Sequence, residues 1–295
     1  GAYHGLGYGA LALTWRDDFR QPFAAQLNPH VHHLPFPAAR RGGRDPGDAG
    51  AAARVVEQLD TLLARDADIG CVVVEPIQGR GGCLVPHSSF LPGLRDVCTR
   101  RNVLLVLDEI MTGLGRTGAW FATQDAGVVP DLLCVGKSLA GGMPLSVCLG
   151  RPDVMQAWGR SQGEARHTST FLGHPLACAA ALCQLEILER DAWIPRIRER
   201  GQALAAALRD VLQIEGVSDV RGRGWMWGIE LVRADGVPDA ARTFDVVCRM
   251  LQRGFLILGS GTHKNVLQLT PPFVLAPEQL RAGLDTLQQV LADTA

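Results

Sequence analysis

Val103-Leu104-Leu105-Val106-Leu107-Asp108-Glu109 decides the fold. Five apolar residues without polar alternation, closed by two acids, have the pattern of a strand buried on both faces that ends at a polar edge. Two shorter runs resemble it, Ile69-Gly70-Cys71-Val72-Val73-Val74 and Leu132 to Val135. Helical spacing over residues 51–67 and over Phe90 to Asn102 separates them. Apolar strands alternating with amphipathic helices predict an α/β fold, a mostly parallel sheet with helices on both faces. Polar residues at the carboxyl ends of such strands face the ligand crevice. Glu75, Asp108 and Lys137 each follow, or nearly follow, one of the runs, and so define a predicted site by geometry.

Further along, Pro175 to Arg190 reads as a helix and leads into a charged helix over Pro195 to Leu212. The remainder mixes short strands, around Trp225-Met226-Trp227-Gly228-Ile229 and Val266 to Leu269, with a helix from Pro277 to Leu291. The expected division is a large domain over residues 1–190 and a smaller C-terminal α+β domain over residues 191–295.

The 295 residues suffice for a large core and two domains. A hydrophobic content of 47% and a net charge of -1 argue against nucleic-acid binding by bulk charge. No apolar run reaches the roughly 20 residues of a membrane span. Eight dispersed cysteines without a C-x-x-C pair read as reduced core packing, which points to a cytoplasmic protein. The chain opens at Gly1-Ala2-Tyr3 without a methionine, and an N-terminal truncation is expected.

Lys137 and Lys264 are the only lysines among 29 basic residues. An amine can lose its proton and attack carbon, whereas a guanidinium stays protonated. Lys137 sits in the uncharged run Leu132 to Gly142, where desolvation would lower its pKa and favour Schiff-base chemistry. A snorkelling surface lysine at a strand end is the competing reading. Asp108 sharpens the choice: a carboxylate at a buried strand end needs a partner. A protonated heterocyclic nitrogen would be one, and a lysine plus such an acid is what a pyridoxal cofactor requires.

Three other patterns weigh less. Gly113-Leu114-Gly115-Arg116-Thr117-Gly118 matches G-x-G-x-x-G, but its acids precede it and no apolar-faced helix begins at Gly118, so a glycine turn explains it better than a dinucleotide site. His30-Val31-His32-His33 lies between prolines in a loop without a carboxylate or cysteine at ligand spacing, and no metal is expected. Arg221 and Arg223 are read as a turn entering the small domain rather than a phosphate or RNA contact.

Five segments, in this order and spacing, resemble the class III, or omega-type, pyridoxal-phosphate-dependent aminotransferases of fold type I. They are Tyr3-His4-Gly5, Glu75-Pro76-Ile77-Gln78-Gly79, Asp108 through Gly118, Pro130-Asp131 with Gly136-Lys137, and Thr170 through Ala177. The resemblance covers nearly the whole chain. It implies pyridoxal 5'-phosphate held by Lys137 as an internal aldimine, with Lys137 also shuttling the substrate proton. Asp108 would pair with the pyridinium nitrogen, Tyr3 and Ile110 would pack on the two ring faces, and Glu75 would lie near the ring. His4 and Met111 fall in cofactor-binding segments, although Met111 stands where many relatives have Gln. Thr170 would contact the cofactor phosphate of a neighbouring subunit, which implies a homodimer with shared sites. A small-molecule amino donor and a keto acid acceptor would be the partners. The resemblance also implies that a phosphate-binding turn and part of the substrate pocket precede Tyr3, so this chain is expected to be a fragment that binds cofactor poorly.

Relatives acting on GABA, ornithine or acetylornithine hold carboxylates with two arginines and a switching Glu, where this chain has Leu6, Gln268 and Arg80. A bidentate guanidinium clamp is not replaced by Leu or a neutral amide. The usual Glu/Arg carboxylate switch is therefore expected to be absent, with Arg80 and Gln268 as candidate substrate contacts. The function implied is transamination through Lys137. The alternatives are an amino-acid racemase or epimerase on the same scaffold, suggested by Val266 through Pro272, and a catalytically incompetent fragment.

Overall fold

The computed structural model describes residues 1–37, 48–165 and 167–294. Strands β1 (Cys71–Val74), β2 (Leu104–Asp108), β3 (Leu132–Val135) and β4 (Val147–Gly150) form one sheet in that order. The first three run parallel and β4 closes the sheet antiparallel. Antiparallel β4 is absent from the sequence expectation, because its Val-Cys-Leu-Gly carries no stronger pattern than the loops around it.

Both faces of the sheet are covered. The helix Ala49–Arg65 turns Ala52, Val55, Leu59 and Leu63 to one side, and Asp48 caps it by accepting from Gly50 N at 2.8 Å. With Phe90, Leu91, Leu94, Val97 and Cys98 of the helix Phe90–Arg101, this apolar stripe packs on Val74, Leu105 and Leu107. On the other face, Ala181 and Leu188 of the helix Pro175–Arg190 meet Val135, Leu139 and Ala140.

Asp131 fastens the strands at the end opposite to the acids. Its Oδ2 accepts from Leu105 N and Arg95 Nη1, both at 2.7 Å, and its Oδ1 accepts from Arg151 Nη1 at 2.9 Å. One buried carboxylate thus joins β2, β3 and the segment after β4.

A second, antiparallel sheet contains β5 (Val217–Arg223), β6 (Met226–Leu231), β7 (Leu258–Ser260) and β8 (Val266–Leu269) in the order β5-β6-β8-β7. Helices Trp193–Ala207, Ala240–Gln252 and Pro277–Asp293 pack on it around Trp225, Ile229, Leu231, Leu267 and Val290.

Arg221 and Arg223 correct one expectation, since they lie on β5 and the turn falls at Gly224-Trp225. Arg221 is drawn into the strand by charge: its Nη1 donates to Asp219 and Glu230, and its Nε donates to Gly82 O at 2.8 Å. Gly224 has φ 57°, and a Cβ there would lie 2.4 Å from the backbone carbon of Thr117. The β5–β6 hairpin is pressed directly against the glycine loop that follows β2.

Along its outer side, β1 has no strand partner among the described residues. A cavity of about 600 Å³ runs beside it, lined by residues 69–75 and by the irregular stretch 30–36. No helix among the described residues is long and apolar enough to cross a membrane.

Candidate active site

Register builds the site. Asp108, the last residue of β2, pairs with Cys134 of β3, and Glu109 N donates to Cys134 O at 2.9 Å. Lys137 follows three residues later, where the chain leaves β3 through Gly136 with φ 51° at the lysine itself. A left-handed lysine costs on the order of 1 kcal/mol. That conformation places the side chain at the carboxyl edge beside Asp108.

Lys137 is more than a third exposed, so it is not a core residue. Partial desolvation nevertheless holds its ammonium below the ordinary lysine range. Asp108 and Glu75 act against that shift, and Arg80 adds to it. The amine is therefore both reachable and short of full protonation at high pH, which suits a nucleophile.

Asp108 is buried, and both of its oxygens are held. His4 Nδ1 donates to Oδ2 at 2.8 Å, and Ile110 N donates to Oδ1 at 3.0 Å. His4 is fixed in turn through Thr14, whose Oγ1 accepts from His4 N at 3.1 Å and donates to Gly5 O at 3.0 Å. Glu75 accepts from Tyr3 N at 2.9 Å and Gly79 N at 3.0 Å, and burial pushes its carboxyl above the usual range. Tyr3, His4, Glu75, Asp108 and Lys137 thus gather at one edge. Ile110 joins them, because a Cβ on Gly136 would sit 3.7 Å from its side chain.

Other predicted residues lie elsewhere. Met111 packs under the turn at Gly79 with Ile77, Cys83, Val85 and Met226. Thr170 is exposed and has no described contact with Lys137. Gln268 is buried on β8 and lines an apolar cavity of about 450 Å³ with Met250, Leu258 and Leu284. Lys264 is exposed and 3.9 Å from Asp18.

His33 Nε2 lies 3.1 Å from Leu13 O, and His32 lies 3.5 Å from Asp66. Among the described residues, no group of three or more His, Cys, Asp or Glu could hold a metal ion.

Several functional contacts escape sequence reading. Glu109, fully buried, accepts from Thr112 Oγ1 at 2.5 Å, Ala122 N at 2.9 Å and Thr123 N at 2.8 Å, and so shapes the loop that carries Ile110. Arg116, whose pKa burial lowers to about 10, donates to Pro271 O at 2.7 Å and Trp225 O at 3.3 Å. The GRTG arginine thus joins the two sheets' loops rather than a ligand.

A parallel sheet that carries an amine and a buried, oriented carboxylate at neighbouring strand ends, closed by an antiparallel edge strand, defines a family. The chain belongs to the class-III aminotransferases, whose family profile matches residues 1–291. It is 35% identical to 4-aminobutyrate aminotransferase of Mycobacterium leprae, with 99% of this chain and 66% of that protein covered. It is 32% identical to alanine/serine racemase of Pyrococcus horikoshii, covering 100% of this chain and 63% of the racemase. The solved amine transaminase from an uncultivated Pseudomonas species, in its PLP-bound internal-aldimine form, superposes with a TM-score of 0.90 at 29% identity over 100% of this chain and 68% of that one. These neighbours share the fold type I architecture expected from the sequence. The chain spans about two thirds of the length of the curated relatives it matches.

Proposed function

We propose that this chain carries the catalytic lysine and acid of a pyridoxal 5'-phosphate-dependent aminotransferase that moves an amino group from a small-molecule donor to a keto acid. One observation carries the reading: the lysine and the buried acid at adjacent strand ends fit the two demands of that cofactor, an amine for its aldehyde and a carboxylate for its ring nitrogen. When bound, pyridoxal 5'-phosphate supplies an electrophilic carbonyl and an electron-withdrawing ring.

Lys137 would hold the aldehyde carbon and, once displaced by the substrate amine, remove the substrate Cα proton through Nζ. Asp108, kept in place by His4 and Ile110 N, would keep a proton on the ring nitrogen. Tyr3 and Ile110 would pack on the ring. Glu75 fixes the position of Tyr3 through its backbone N–H.

Exposed Thr170 stands with Phe171, Leu172 and Leu176, which are 74%, 68% and 61% exposed. Apolar exposure on that scale supports a homodimer in which Thr170 serves the neighbouring site. Arg80 has no ion-pair partner among the described residues, in keeping with an absent Glu/Arg switch. The division near residue 190 and a cytosolic location belong to the same reading, the latter on eight free cysteines.

Borohydride reduction after addition of pyridoxal 5'-phosphate tests the assignment. The adduct is expected on Lys137; an adduct on Lys264 alone would overturn it.

Racemisation is the second reading, favoured by the identity to alanine/serine racemase over the whole chain. Incubation with L-alanine and no keto acid separates the two. Pyruvate and the pyridoxamine form mark transamination, loss of optical activity marks racemisation, and neither signal marks a non-catalytic chain.

A further inference from the structure

Cys134 of β3 and Cys148 of β4 stand directly opposite each other in the antiparallel register. The Cys134 carbonyl accepts from Glu109 N at 2.9 Å, on the β2 side, so the backbone polar groups of Cys134 are turned away from β4. The cysteines are therefore a non-hydrogen-bonded pair, the kind in which facing Cα atoms approach to about 4.5 Å and side chains stand closest. That separation lies within the roughly 4.4–6.8 Å that a disulfide spans. The two thiols are hydrogen-bonded to each other, and neither is in a disulfide.

The two differ in access. Cys148 is exposed on β4, the edge strand of the sheet among the described residues, whereas Cys134 is half-buried between β2 and β4. Burial, and then the charges of Cys148 and Asp108, push the Cys134 thiol up to about 11. Cys148 is thus the sulfur that a reagent from solvent meets first. Exposed pairs of this kind are the readily reversible ones, in contrast to buried structural bridges. Cys71 and Cys98, on β1 and the helix Phe90–Arg101, also influence each other electrostatically, but Cys98 is buried and no hydrogen bond joins them. The position of the first pair gives it consequence: Cys134 is in register with Asp108, and Lys137 follows three residues later. Ser146, two residues before Cys148, has its Cβ 3.6 Å from where a Cβ on Gly136 would sit. The dithiol therefore closes the seam beside the candidate site.

We propose that Cys134 and Cys148 form an oxidisable dithiol, which low-molecular-weight disulfides convert into a cross-strand bridge between β3 and β4. The Cys148 sulfur attacks one sulfur of the small disulfide; that S–S bond breaks, a mixed disulfide forms on Cys148, and one small thiol leaves. The Cys134 sulfur then attacks the Cys148 sulfur, the mixed bond breaks, and the second small thiol leaves. The two protein thiols give up two protons and two electrons, and the small disulfide becomes two thiols. Capping Cys148 removes its charge from beside Cys134, which eases the second step. The bridge pins β4 to the strand that leads to Lys137, and it stands whether or not Lys137 is the cofactor lysine.

Treatment of the folded chain with bis(2-hydroxyethyl) disulfide, then alkylation of the remaining thiols in urea and tryptic digestion without reductant, tests the pair. Cleavage after Arg116, Lys137 and Arg160 releases peptides 117–137 and 138–160, each with a single cysteine. The expected product is these two peptides joined, lighter by two hydrogens than their sum, from protein that runs as a single chain on a non-reducing gel. Dithiothreitol should restore both thiols. Cys134→Ser is expected to stop at the mixed disulfide on Cys148, and Cys148→Ser to leave Cys134 open to alkylation. Because a closed loop restricts the unfolded chain, the oxidised parent should melt at a higher temperature than the reduced one, a gain absent from Cys148→Ser. A parent chain that keeps the mixed disulfide on Cys148, bridges Cys71 to Cys98 instead, or joins two copies through Cys148 would overturn the proposal. So would a parent in which both thiols stay free.

Discussion

His4 Nδ1 and Asp108 Oδ2 are 2.8 Å apart, 104 residues apart in sequence, and almost closed to solvent. The pair ties the start of the chain to the end of the central strand. Asp108 is thus oriented before any ligand arrives.

His4→Ala is expected to leave Asp108 Oδ2 buried without its donor and to destabilise the fold by about 1–3 kcal/mol. Denaturant titration with an unchanged slope reads this directly. A double cycle with Asp108→Asn should show a coupling of about 1 kcal/mol, and strict additivity would mean that the two side chains do not communicate.

Lys137 provides a pH prediction. Desolvation disfavours its ammonium, so the folded chain binds fewer protons there than the unfolded chain, and this contribution to stability grows as pH rises toward the ordinary lysine value of 10.5. Reductive ¹³C-methylation of a Lys264→Arg variant leaves one lysine resonance. It should titrate below 10.5 in the folded protein and return toward that value in urea.

Asp131 has the opposite sign. Burial alone would raise its pKa, but the bonds from Leu105 N, Arg95 and Arg151 more than offset this and lower it. Its stabilisation is therefore present above the unfolded value of 3.8 and lost as pH falls through the lower folded value. Asp131→Ala should cost about 3 kcal/mol near neutrality, where Leu105 N and Arg95 lose their carboxylate and Arg151 keeps only Asp153. The cost should shrink in acid, as followed by thermal unfolding over a pH series.

Gly224 carries a geometric prediction. Alanine there would need a left-handed conformation and would drive a Cβ to 2.4 Å from Thr117. Gly224→Ala should lower stability by about 2 kcal/mol or more, because both the strain and the displaced hairpin count. An unchanged melting temperature would mean that the hairpin and the glycine loop are not in register.

Much of this was legible in the sequence where the signal is local. Val103 to Leu107 announced a doubly covered strand, and Asp108 and Lys137 followed from strand ends. β4 escaped because a four-residue edge strand leaves little periodicity. The His4–Asp108 pair and the Thr14 anchor escaped for a different reason. Each joins residues whose individual types are ordinary and whose proximity exists only after the sheet has formed. Arg221, in Arg-Gly-Arg-Gly, looked like a turn residue, and only Asp219 and Glu230 on facing positions explain its place in a strand.

The side of β1 that has no strand partner among the described residues sets how this polypeptide behaves in company. Parallel strands are normally flanked on both edges in the middle of such sheets, and an unpaired row of N–H and C=O groups is a template for another extended segment. Here the row borders a trough in which Leu34, Phe36, Leu59 and Leu63 stand beside His32, Asp66 and Asp68. Self-association through that edge should rise with concentration while net charge stays near -1, too small to oppose it. A charged residue in place of Val72 is therefore expected to lower self-association through this edge.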